Sequence, residues 1–470
     1  MVDLTTNFLF ESRVIVEQRT AGVVKTLVSK NRLLISTVLS VLLCFSLVVS
    51  VNAETEMWGQ TYGDTGEQKA YSLVETSDGG YAIAGYTSSS ANNHDDFWLV
   101  KTDMHGNMEW NQTYGGTGHE IACSLVETSD GGYAIAGLTE PYDSYKPRAS
   151  DGWLVKTDTS GNMEWNVTYG GVGSDAFRSL VETSDGGFVM AGIWNCPLDG
   201  FWFWNTEFFS YGGDGWLVKV DASGNVEWNM TYGDENNDWA SFYSVVEVSE
   251  GGYAVAGRND DMDSWLVKVD VDGNMEWNKT YENFDPLWAF YSVVETSDGG
   301  YALSGSDGSF WLVKTNSSGD MEWEQRYWHD GNDEELAFSV VEASDGGYVM
   351  AGICEYYQNN EIGYLDFRGS FWIVKADEYG VMEWNQTYGS LGPDDYAWAY
   401  SVVATSDGGY AVAGVIFTGE PTSMYDFWLI KTDENGVAPV VPEAPWVVLP
   451  LLVTATLAIF IGKKKLRLQH

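Results

Sequence analysis

Cysteine is scarce in this chain. The 470 residues include four cysteines, Cys44, Cys123, Cys196 and Cys354. Cys44 lies in an apolar run near the N-terminus, and the other three lack the clustered spacing of zinc ligands or of small disulfide-linked domains. The sequence therefore excludes a disulfide framework, and packing has to hold the fold together.

Positive charge is scarce as well. Between Glu54 and Pro445 the chain has 15 Lys and Arg against 65 Asp and Glu, a net charge of −50. Such a surface repels nucleic acid and anionic lipid headgroups, so no nucleic-acid partner is expected. The acidic balance fits salt adaptation, and it also fits a mildly acidic exported protein of an archaeon or a bacterium.

Motifs for catalysis are missing too. His94, His105, His119 and His329 are scattered, and no nucleophile–base spacing, phosphate loop or metal-ligand triad stands out. We therefore predict neither an enzyme nor a resident cofactor. The turn Asp270–Asn274, DVDGN, comes nearest to a calcium loop, but it lacks the other ligand positions and the distal Glu of an EF-hand, which favours a plain hairpin turn.

Long apolar runs occur only near the two ends of the chain. Leu33–Val51 follows several cations and precedes VNAET, which is the order of a secretory signal. Residues 1–53 are predicted to form a leader with an apolar export helix, which is either cleaved after Ala53 or retained as an anchor. In both versions the rest of the chain is exported.

The second apolar run, Trp446–Gly462, has 17 residues, the lower limit for a transmembrane helix. It follows a linker, residues 438–445, and the basic tail, residues 463–470, is expected to stay in the cytoplasm. The order VPEAPW, apolar span and basic tail resembles archaeal C-terminal sorting signals of the Pro-Glu-Phe type, although Ala444 stands where that family has Phe. The resemblance implies processing by a membrane sortase. With or without it, we expect one C-terminal membrane anchor and an extracellular domain.

Internal repeats dominate residues 54–437. The sequence SDGG, or SEGG in one unit, begins at Ser77, Ser129, Ser184, Ser249, Ser297, Ser344 and Ser406. The sequence WLVK or a close variant begins at Trp98, Trp153, Trp216, Trp265, Trp311, Trp372 and Trp428. Seven units at intervals of 47 to 65 residues, each with four short alternating segments, are typical of a β-propeller.

In unit two the four segments are ACSLVETS, YAIAG, GWLVKTD and MEWNVTY, which we name strands a, b, c and d. The Asp-Gly-Gly after strand a is a strong hairpin signal. The short a–b and c–d turns share one face, the short-turn face, and the b–c and d–a loops, which vary in length, share the other, the variable face. The pattern resembles repeats of exported bacterial and archaeal proteins, and seven such units resemble a seven-bladed propeller. This implies an all-β fold with four strands per blade and little about activity.

The segment Glu56–Gly63, EMWGQTYG, is a fourth strand without a unit of its own. Unit seven, in turn, ends at FWLIKTDENGV and lacks a fourth strand. We therefore predict that the N-terminal strand completes blade seven, with Trp58 where Trp110 and Trp165 stand in their blades, and with Tyr62 following in the same strand. Closure by both ends of the propeller removes its open edges.

Two b–c loops are rich in aromatic residues, although loops are normally polar. They are Ile193–Asp214 in unit three and Ile353–Gly369 in unit six. Flat rings suit a sugar or a protein partner, whereas the alternative is that the unit-three loop folds over the central channel and buries its rings. The ligand-binding candidates are Trp194, Trp202, Trp204, Phe208, Tyr211, Tyr356, Tyr357 and Tyr364.

Acceptor sequences for N-glycosylation recur in strand d. The candidates are Asn111, Asn166, Asn229, Asn278 and Asn385, with Asn316 in a c–d turn. Strand d is the outer edge of a blade, so a glycan there would cover an edge that could pair with another chain. The alternative is that Thr is a good strand residue that was inherited with the repeat.

Two further patterns concern the framework. The spacing of Asp158, Gly161 and Trp165 resembles the docking motif of quinoprotein propellers, although its first interval is one residue shorter. We interpret it structurally: Asp and Gly shape the turn, and Trp packs between blades. Lysine ends every WLVK, and Glu recurs in strand a of six units, with Ala404 in the seventh. We expect these groups to form ion pairs, or the glutamates to line the channel.

Sequence variation between repeats concentrates on the variable face, as it does for binding loops in other repeat proteins. These features favour a cell-surface, membrane-anchored propeller that binds an extracellular glycan or protein through its b–c and d–a loops. The alternatives are an extracellular enzyme, either a quinoprotein-like oxidoreductase or a carbohydrate-active enzyme, and a structural protein of a surface layer.

Overall fold

The structure of this chain is a computed structural model. It describes residues 57–63, 66–88, 94–140, 149–196, 213–233, 240–282, 289–329, 334–359, 365–389, 396–417 and 425–438, without the side chains of residues 334, 355–359 and 365–368. The predicted leader, C-terminal anchor and basic tail lie outside these ranges. Among the described residues, no helix has the length and hydropathy needed to span a lipid bilayer.

The described residues form 28 strands in seven antiparallel sheets of four. Blade one contains β2 (Glu67–Glu75), β3 (Tyr81–Ser88), β4 (Asp95–Thr102) and β5 (Met108–Tyr114). Blade two contains β6 (His119–Glu127), β7 (Tyr133–Glu140), β8 (Asp151–Thr157) and β9 (Met163–Tyr169). Blade three contains β10 (Ser174–Glu182), β11 (Phe188–Cys196), β12 (Asp214–Val220) and β13 (Val226–Tyr232). Blade four contains β14 (Ser241–Glu247), β15 (Tyr253–Arg258), β16 (Ser264–Val269) and β17 (Met275–Tyr281).

The remaining three blades follow the same order. Blade five contains β18 (Phe290–Glu295), β19 (Tyr301–Ser306), β20 (Phe310–Thr315) and β21 (Met321–Tyr327). Blade six contains β22 (Glu334–Glu342), β23 (Tyr348–Asn359), β24 (Leu365–Ala376) and β25 (Met382–Tyr388). Blade seven contains β26 (Ala397–Ala404), β27 (Tyr410–Ile416), β28 (Asp426–Thr432) and, as its fourth strand, β1 (Trp58–Tyr62).

The chain is therefore an all-β, seven-bladed propeller with four strands per blade, as the repeats predict. The a strands of successive blades contact each other around the whole ring, and β26 contacts β2. They are the innermost strands. Strand d is the outermost strand, because alternate side chains along it are exposed.

The a–b turn explains why SDGG recurs. In blade one the backbone N–H of Thr76 donates to the carbonyl of Gly80 over 2.9 Å. Asp78 Oδ1 accepts hydrogen bonds from the Thr76 hydroxyl at 2.6 Å and from the Gly80 N–H at 3.0 Å. Gly79 has a φ of 84°, which glycine adopts without steric cost.

An outer lock joins each blade to the next one. The hydroxyl of the strand-d Tyr donates to the carbonyl of the Gly in the following c–d turn, at 2.6 to 2.8 Å in the first six of these pairs: Tyr62–Gly106, Tyr114–Gly161, Tyr169–Gly224, Tyr232–Gly273, Tyr281–Gly319, Tyr327–Gly380 and Tyr388–Gly436. The strand-d Trp packs against the same Gly, and a Cβ at Gly161 would lie 2.6 Å from Cζ3 of Trp110. A larger residue in this turn would push the blades apart.

An inner lock joins the a strands near the channel. The backbone N–H of a Leu or Val in each a strand donates to a Ser Oγ of the preceding blade over 3.0 to 3.3 Å. The seven acceptors are Ser72, Ser124, Ser179, Ser244, Ser292, Ser339 and Ser401. Together the seven bonds form a closed circle of contacts around the axis of the propeller.

A third lock, the face lock, uses the glutamates at the end of strand a. Each of the six carboxylates accepts hydrogen bonds from the N–H and the hydroxyl of the SDGG or SEGG serine in the preceding blade, such as Glu127 from Ser77. These glutamates lie on the short-turn face, so they do not line the channel. Ala404 stands where the partner of Ser344 would be.

The WLVK lysines pair with other carboxylates than the strand-a glutamates. Lys101 is buried and contacts Asp78 of the SDGG turn at 2.9 Å and Glu109 of strand d at 3.1 Å. In blades two to six the equivalent Lys contacts the equivalent of at least one of these two carboxylates. In blade seven Lys431 contacts Asp407. The structure thus contains ion pairs within each blade, as predicted. The predicted pairing of these lysines with the strand-a glutamates is wrong, because the carboxylates come from the turn and from strand d instead.

The N-terminal strand lies where the orphan segment predicts. β1 pairs antiparallel with β28, from Trp58 opposite Lys431 to Tyr62 opposite Phe427. Trp58 also packs against Gly106 of blade one, as Trp110 packs against Gly161 of blade two. Paired residues of β1 and β28 are therefore 365 to 373 positions apart in the sequence, and the ring closes only when both ends of the propeller meet.

Trp58→Ala is expected to lower the free energy of unfolding by about 3 kcal/mol, because losing the indole leaves a cavity against the Gly106 turn. Trp110→Ala removes the same lock between blades one and two and serves as the matched control with a similar loss. Denaturant unfolding measures both. A Trp58→Ala chain as stable as the wild type, beside a destabilised Trp110→Ala chain, would contradict closure through β1.

Ala404→Glu is expected to install the missing face lock between blades six and seven. The new carboxylate would accept hydrogen bonds from Ser344, and the gain should be about 0.5 to 1 kcal/mol because the site is exposed. Glu75→Ala, which removes an existing face lock, should lose a similar amount. Thermal unfolding of the two variants measures both changes. A destabilised Ala404→Glu chain would contradict the prediction and show that blades six and seven do not have the geometry of the other face locks.

Candidate functional site

A β-bulge interrupts every a strand at the same place. In β2, for example, Ala70 pairs with Gly85 and Ser72 pairs with Ala84, which leaves Tyr71 as the extra residue. The extra residues of the seven blades are Tyr71, Cys123, Arg178, Tyr243, Tyr291, Phe338 and Tyr400. We call these seven residues the channel belt, because they lie on the innermost strands.

The belt side chains contact one another across the channel-facing junctions between blades. Ring centroids lie 5.0 Å apart for Tyr71 and Tyr400, and 5.3 Å apart for each of the next three pairs around to Tyr243. The guanidinium carbon of Arg178 lies 4.8 Å from the ring centre of Tyr243. Five aromatic rings and one cation thus form a continuous chain of contacts, while Cys123 completes the belt.

Two arginines lie at the belt in blades three and four, the belt residue Arg178 and the neighbouring Arg258. Arg258 is the last residue of β15, pairs in register with Ser241 and has 1 % of its surface exposed. Burial raises the pKa of the Tyr243 hydroxyl, yet the positive charges of Arg258 and Arg178 outweigh it and leave that pKa below its ordinary value. Burial raises the pKa of Tyr291 well above its ordinary value.

Carboxyl groups meet in pairs between blades on the variable face. A Cβ on Gly115 would lie 1.9 Å from Oδ1 of Asp96, at the start of strand c in blade one, and 2.6 Å from Oε2 of the buried Glu120 in blade two. The two carboxyl groups therefore lie close together. Burial raises the pKa of both groups, and the charge of Asp96 raises that of Glu120 further. A Cβ on Gly170 would lie 2.0 Å from Asp151 Oδ1 and 2.8 Å from Asp175 Oδ2, so a second pair of carboxyl groups meets one blade on, and burial raises the pKa of both.

Asp175 also holds three loops of the variable face. Its carboxylate accepts the N–H of Gly171 in the d–a loop and the N–H of Asn195 in the b–c loop of blade three, both at 2.6 Å. Its backbone pairs with Ser150 in the b–c loop of blade two. Asn195 has a φ of 56°, so the loop leaves β11 through a left-handed residue. The carboxylate thereby fixes where the aromatic loop of blade three begins.

The predicted ligand-binding residues are distributed unevenly over the structure. Trp194 is half-buried at the end of β11, with its ring centre 5.0 Å from that of Trp216. Tyr356 and Tyr357 lie in the long hairpin of β23 and β24, opposite Arg368 and Phe367. Trp202, Trp204, Phe208, Tyr211 and Tyr364 lie outside the described residues. Trp194 thus packs against the core of blade three, and a binding role for all eight residues stays a prediction.

The blade-six hairpin is longer than its neighbours in the sheet. β23 and β24 pair over twelve residues each, whereas β22 reaches only to Glu355 and β25 only to Phe371. The excess extends from the variable face. At its base, a Cβ on Gly369 would lie 2.6 Å from Nε1 of Trp398 in strand a of blade seven, so the backbone of the hairpin and the indole are in close contact.

The strand-d asparagines have a structural partner. Asn111 is exposed, and its Oδ1 accepts a hydrogen bond from the indole N–H of the buried Trp98 at 3.2 Å. Asn166, Asn229, Asn278 and Asn385 repeat this bond in their blades. In blade five Glu324 takes the place of Asn and accepts from Trp311 at 3.0 Å. The repeat of Asn therefore has a reason in packing, and glycosylation stays a prediction.

The c–d turns are plain hairpin turns. Asp158 Oδ1 accepts the N–H groups of Ser160 and Asn162, Gly161 has a φ of 76°, and Trp165 packs against the turn of the next blade, as expected. Asp270 makes the same turn, and Asn316 occupies this position in blade five. Among the described residues, no three His, Cys, Asp or Glu side chains are grouped so as to hold a metal ion.

No family model matches the sequence, and no curated protein matches it. Solved structures with similarity include a protein of unknown function from Bacteroides caccae, with 11% identity over 68% of this chain and 94% of that one, at a TM-score of 0.38. Sqt1 from Chaetomium thermophilum has 9% identity over 80% of this chain and 99% of that one, at 0.45. A protein of unknown function from Dyadobacter fermentans has 12% identity over 66% and 95%, at 0.40.

The channel belt is the feature that reasoning from the sequence missed. Its signal is the residue before Ser in the strand-a sequence SLVE, SVVE or, in unit seven, SVVA. This residue is Tyr, Cys, Arg, Tyr, Tyr, Phe and Tyr through the seven units. In a regular strand, where side chains alternate between the two faces, this residue would be predicted to point toward one face of its sheet. The bulge turns it toward the channel, and a bulge of this kind has no residue signature of its own here.

Glu120→Gln is expected to stabilise the chain at pH 7.5 and to bring little gain at pH 4. Because the folded pKa of Glu120 is raised, the wild type loses stability as pH rises from the ordinary Glu pKa through the folded pKa. The amide that replaces the Glu120 carboxylate would carry no charge, so this loss would not occur in the variant. Gln68 is the equivalent residue of blade one, where it lies beside Asp426 and donates a hydrogen bond to Thr87, which shows that the site accepts an amide.

Gln68→Glu is the matched reverse change and should destabilise the chain at pH 7.5 more than at pH 4. Denaturant unfolding at the two pH values measures both variants. A benefit of Glu120→Gln that is equal at both pH values would show that packing, and not ionisation, accounts for it.

Proposed function

We propose that this chain is a cell-surface binding protein that recognises an extracellular glycan through the variable face of its propeller. The observation that carries the proposal is the channel belt. The residues that form the outer, inner and face locks are nearly the same in all seven repeats, whereas the belt positions have no part in these locks. Five of the seven belt residues are nevertheless aromatic.

Aromatic rings suit sugars because the apolar face of a pyranose can pack flat against a ring. Tyr71 and Phe338 are half-buried, so both keep accessible ring surface. The belt residues lie within the a strands, as Tyr71 does in the middle of β2, and the aromatic b–c loops of blades three and six, predicted as ligand-binding, begin on the variable face. Belt and loops together would provide stacking surfaces at the mouth and within the channel.

The course of the chain supports attachment on the opposite side. The chain leaves blade seven at the turn after β28, where Asp433 accepts the N–H of Val437. This is a c–d turn, so it lies on the short-turn face. The predicted C-terminal anchor follows after the eight-residue linker 438–445, and an anchor there would hold the short-turn face toward the membrane and leave the variable face open to ligands.

A glycan array probed with the purified propeller tests this function. We expect a defined set of hits, and we expect Tyr71→Cys to weaken them about tenfold, since a stacking ring is lost while the residue of the equivalent position in blade two is introduced. Trp202→Ala should weaken them as well.

Tyr379→Ala is the matched control, because Tyr379 is an exposed tyrosine in a c–d turn, with 67% exposure, on the short-turn face. It should leave every hit unchanged. An array without hits would contradict glycan binding. Hits that are weakened by Tyr379→Ala but not by Tyr71→Cys would place the binding site on the short-turn face and contradict the proposed site.

A further inference from the structure

One tryptophan on the variable face is exposed. Trp328 directly follows the strand-d Tyr of blade five, at the start of a d–a loop, and 57% of its surface is accessible. No other tryptophan among the described side chains is exposed. In the other six repeats the residue at this place is Gly63, Gly115, Gly170, Gly233, Glu282 and Gly389. Blade five thus presents an indole where five other blades have no side chain at all.

A carboxylate of strand c explains why glycine is common at this place. A Cβ on Gly115 would lie 1.9 Å from Asp96 Oδ1, and the equivalent Asp comes within 2.0 to 2.6 Å in blades two, three and seven. In blade five Ser309 stands where that Asp stands, and its hydroxyl donates a hydrogen bond to Asp307 over 2.8 Å. The framework of blade five therefore permits a side chain after strand d, but it does not require an indole.

The backbone is fixed on both sides of Trp328. The hydroxyl of the preceding residue, Tyr327, donates to the carbonyl of Gly380 over 2.7 Å as part of the outer lock. The backbone N–H of the following residue, His329, donates to Oε1 of the buried Glu335 over 3.2 Å. An aromatic side chain on a fixed backbone loses little conformational entropy when it binds a ligand, so this arrangement favours recognition.

The surroundings of Trp328 suit a sugar better than a protein partner. Of the described side chains, the large apolar ones exposed on the variable face are Trp328 in blade five and Val172 in blade two. The others that are exposed lie in c–d turns or next to the start of strand d, on the short-turn face. A protein interface has a contiguous apolar core, whereas a single flat ring is enough to pack against one face of a pyranose.

We propose that Trp328 is an outer stacking site for one ring of an extended oligosaccharide whose inner end lies at the channel belt. The inference rests on the proposed glycan-binding function and adds a requirement for chain length. Phe338, a half-buried belt residue, marks the inner end of the junction between blades five and six, with its ring centre 5.3 Å from that of Tyr291. Trp328 lies at the outer end of this junction.

The width of a blade sets the length of the ligand. The belt lies on strand a and Trp328 follows strand d, so three strand spacings, about 14 Å, separate them across the sheet. One sugar ring cannot span this distance. A terminal monosaccharide would therefore reach one of the two sites, and only a chain of several sugars would contact both.

The test uses an array on which each glycan is present as a series of one to six sugar units. The wild-type propeller should bind the members that are long enough to reach Trp328 about tenfold more tightly than the shorter ones, because a second ring is stacked. Trp328→Gly introduces the residue that five other blades have at this place, so its fold should persist, which thermal unfolding checks. This variant should lose the gain for long chains and bind short ones as the wild type does.

Two further variants separate the ring from its position. Trp328→Phe keeps a flat ring and should retain most of the gain. Val172→Gly is the matched control, because it removes an apolar side chain with 92% exposure from the same face, far around the ring in blade two. It should leave the affinity for every chain length unchanged.

The outcomes distinguish this inference from the proposed function. Affinities that do not rise with chain length would overturn the inference and leave glycan binding intact. A rise with chain length that persists in Trp328→Gly would also overturn it, and the exposed indole would then fit a protein partner instead. A weakening of short chains by Trp328→Gly equal to that of long ones would contradict the outer position of the site. An array without hits overturns both proposals.

Discussion

The outer lock is the contact on which the rest of the structure depends. Each blade places a Trp and a Tyr from its outermost strand against a glycine turn of the next blade, so no blade is complete without a successor. Glycine is needed there because a Cβ would meet the indole ring. A linear array with this lock would leave one Trp and Tyr without a turn and one turn without a Trp. Only a closed ring satisfies every blade, and for this reason the orphan N-terminal strand and the incomplete seventh unit belong together.

The three locks also divide the residues of each repeat into two groups. One group repeats because it holds the blades together: the strand-d Trp and Tyr, the strand-a Ser and Glu, and the glycines of the turns. The other group takes no part in the locks and differs from blade to blade. The belt residues belong to the second group, together with the residue that follows Gly in strand b. Differences between repeats are therefore informative at these places, because the framework does not dictate them.

Most of the fold could be predicted from the sequence, since strand, turn and blade all recur with a period that a reader can count. The position of Trp58 could be predicted because its segment resembles the one around Trp110. The belt could not be predicted, because the bulge at Tyr71 changes the direction of one side chain without changing the local composition. The partner of Glu127 was also missed. It is the turn serine Ser77 of the preceding blade and not a lysine, and no pattern within one repeat shows which blade supplies a partner.

The distribution of charge follows from the same division. The framework keeps its lysines buried against turn and strand-d carboxylates, so these cations are neutralised within their own blades. On the variable face, burial raises the pKa of both Asp96 and Glu120, which favours their neutral forms and opposes the accumulation of negative charge between blades one and two. Arg178 and Arg258 lie in blades three and four, at places where the other blades have uncharged residues and where the locks do not dictate the side chain.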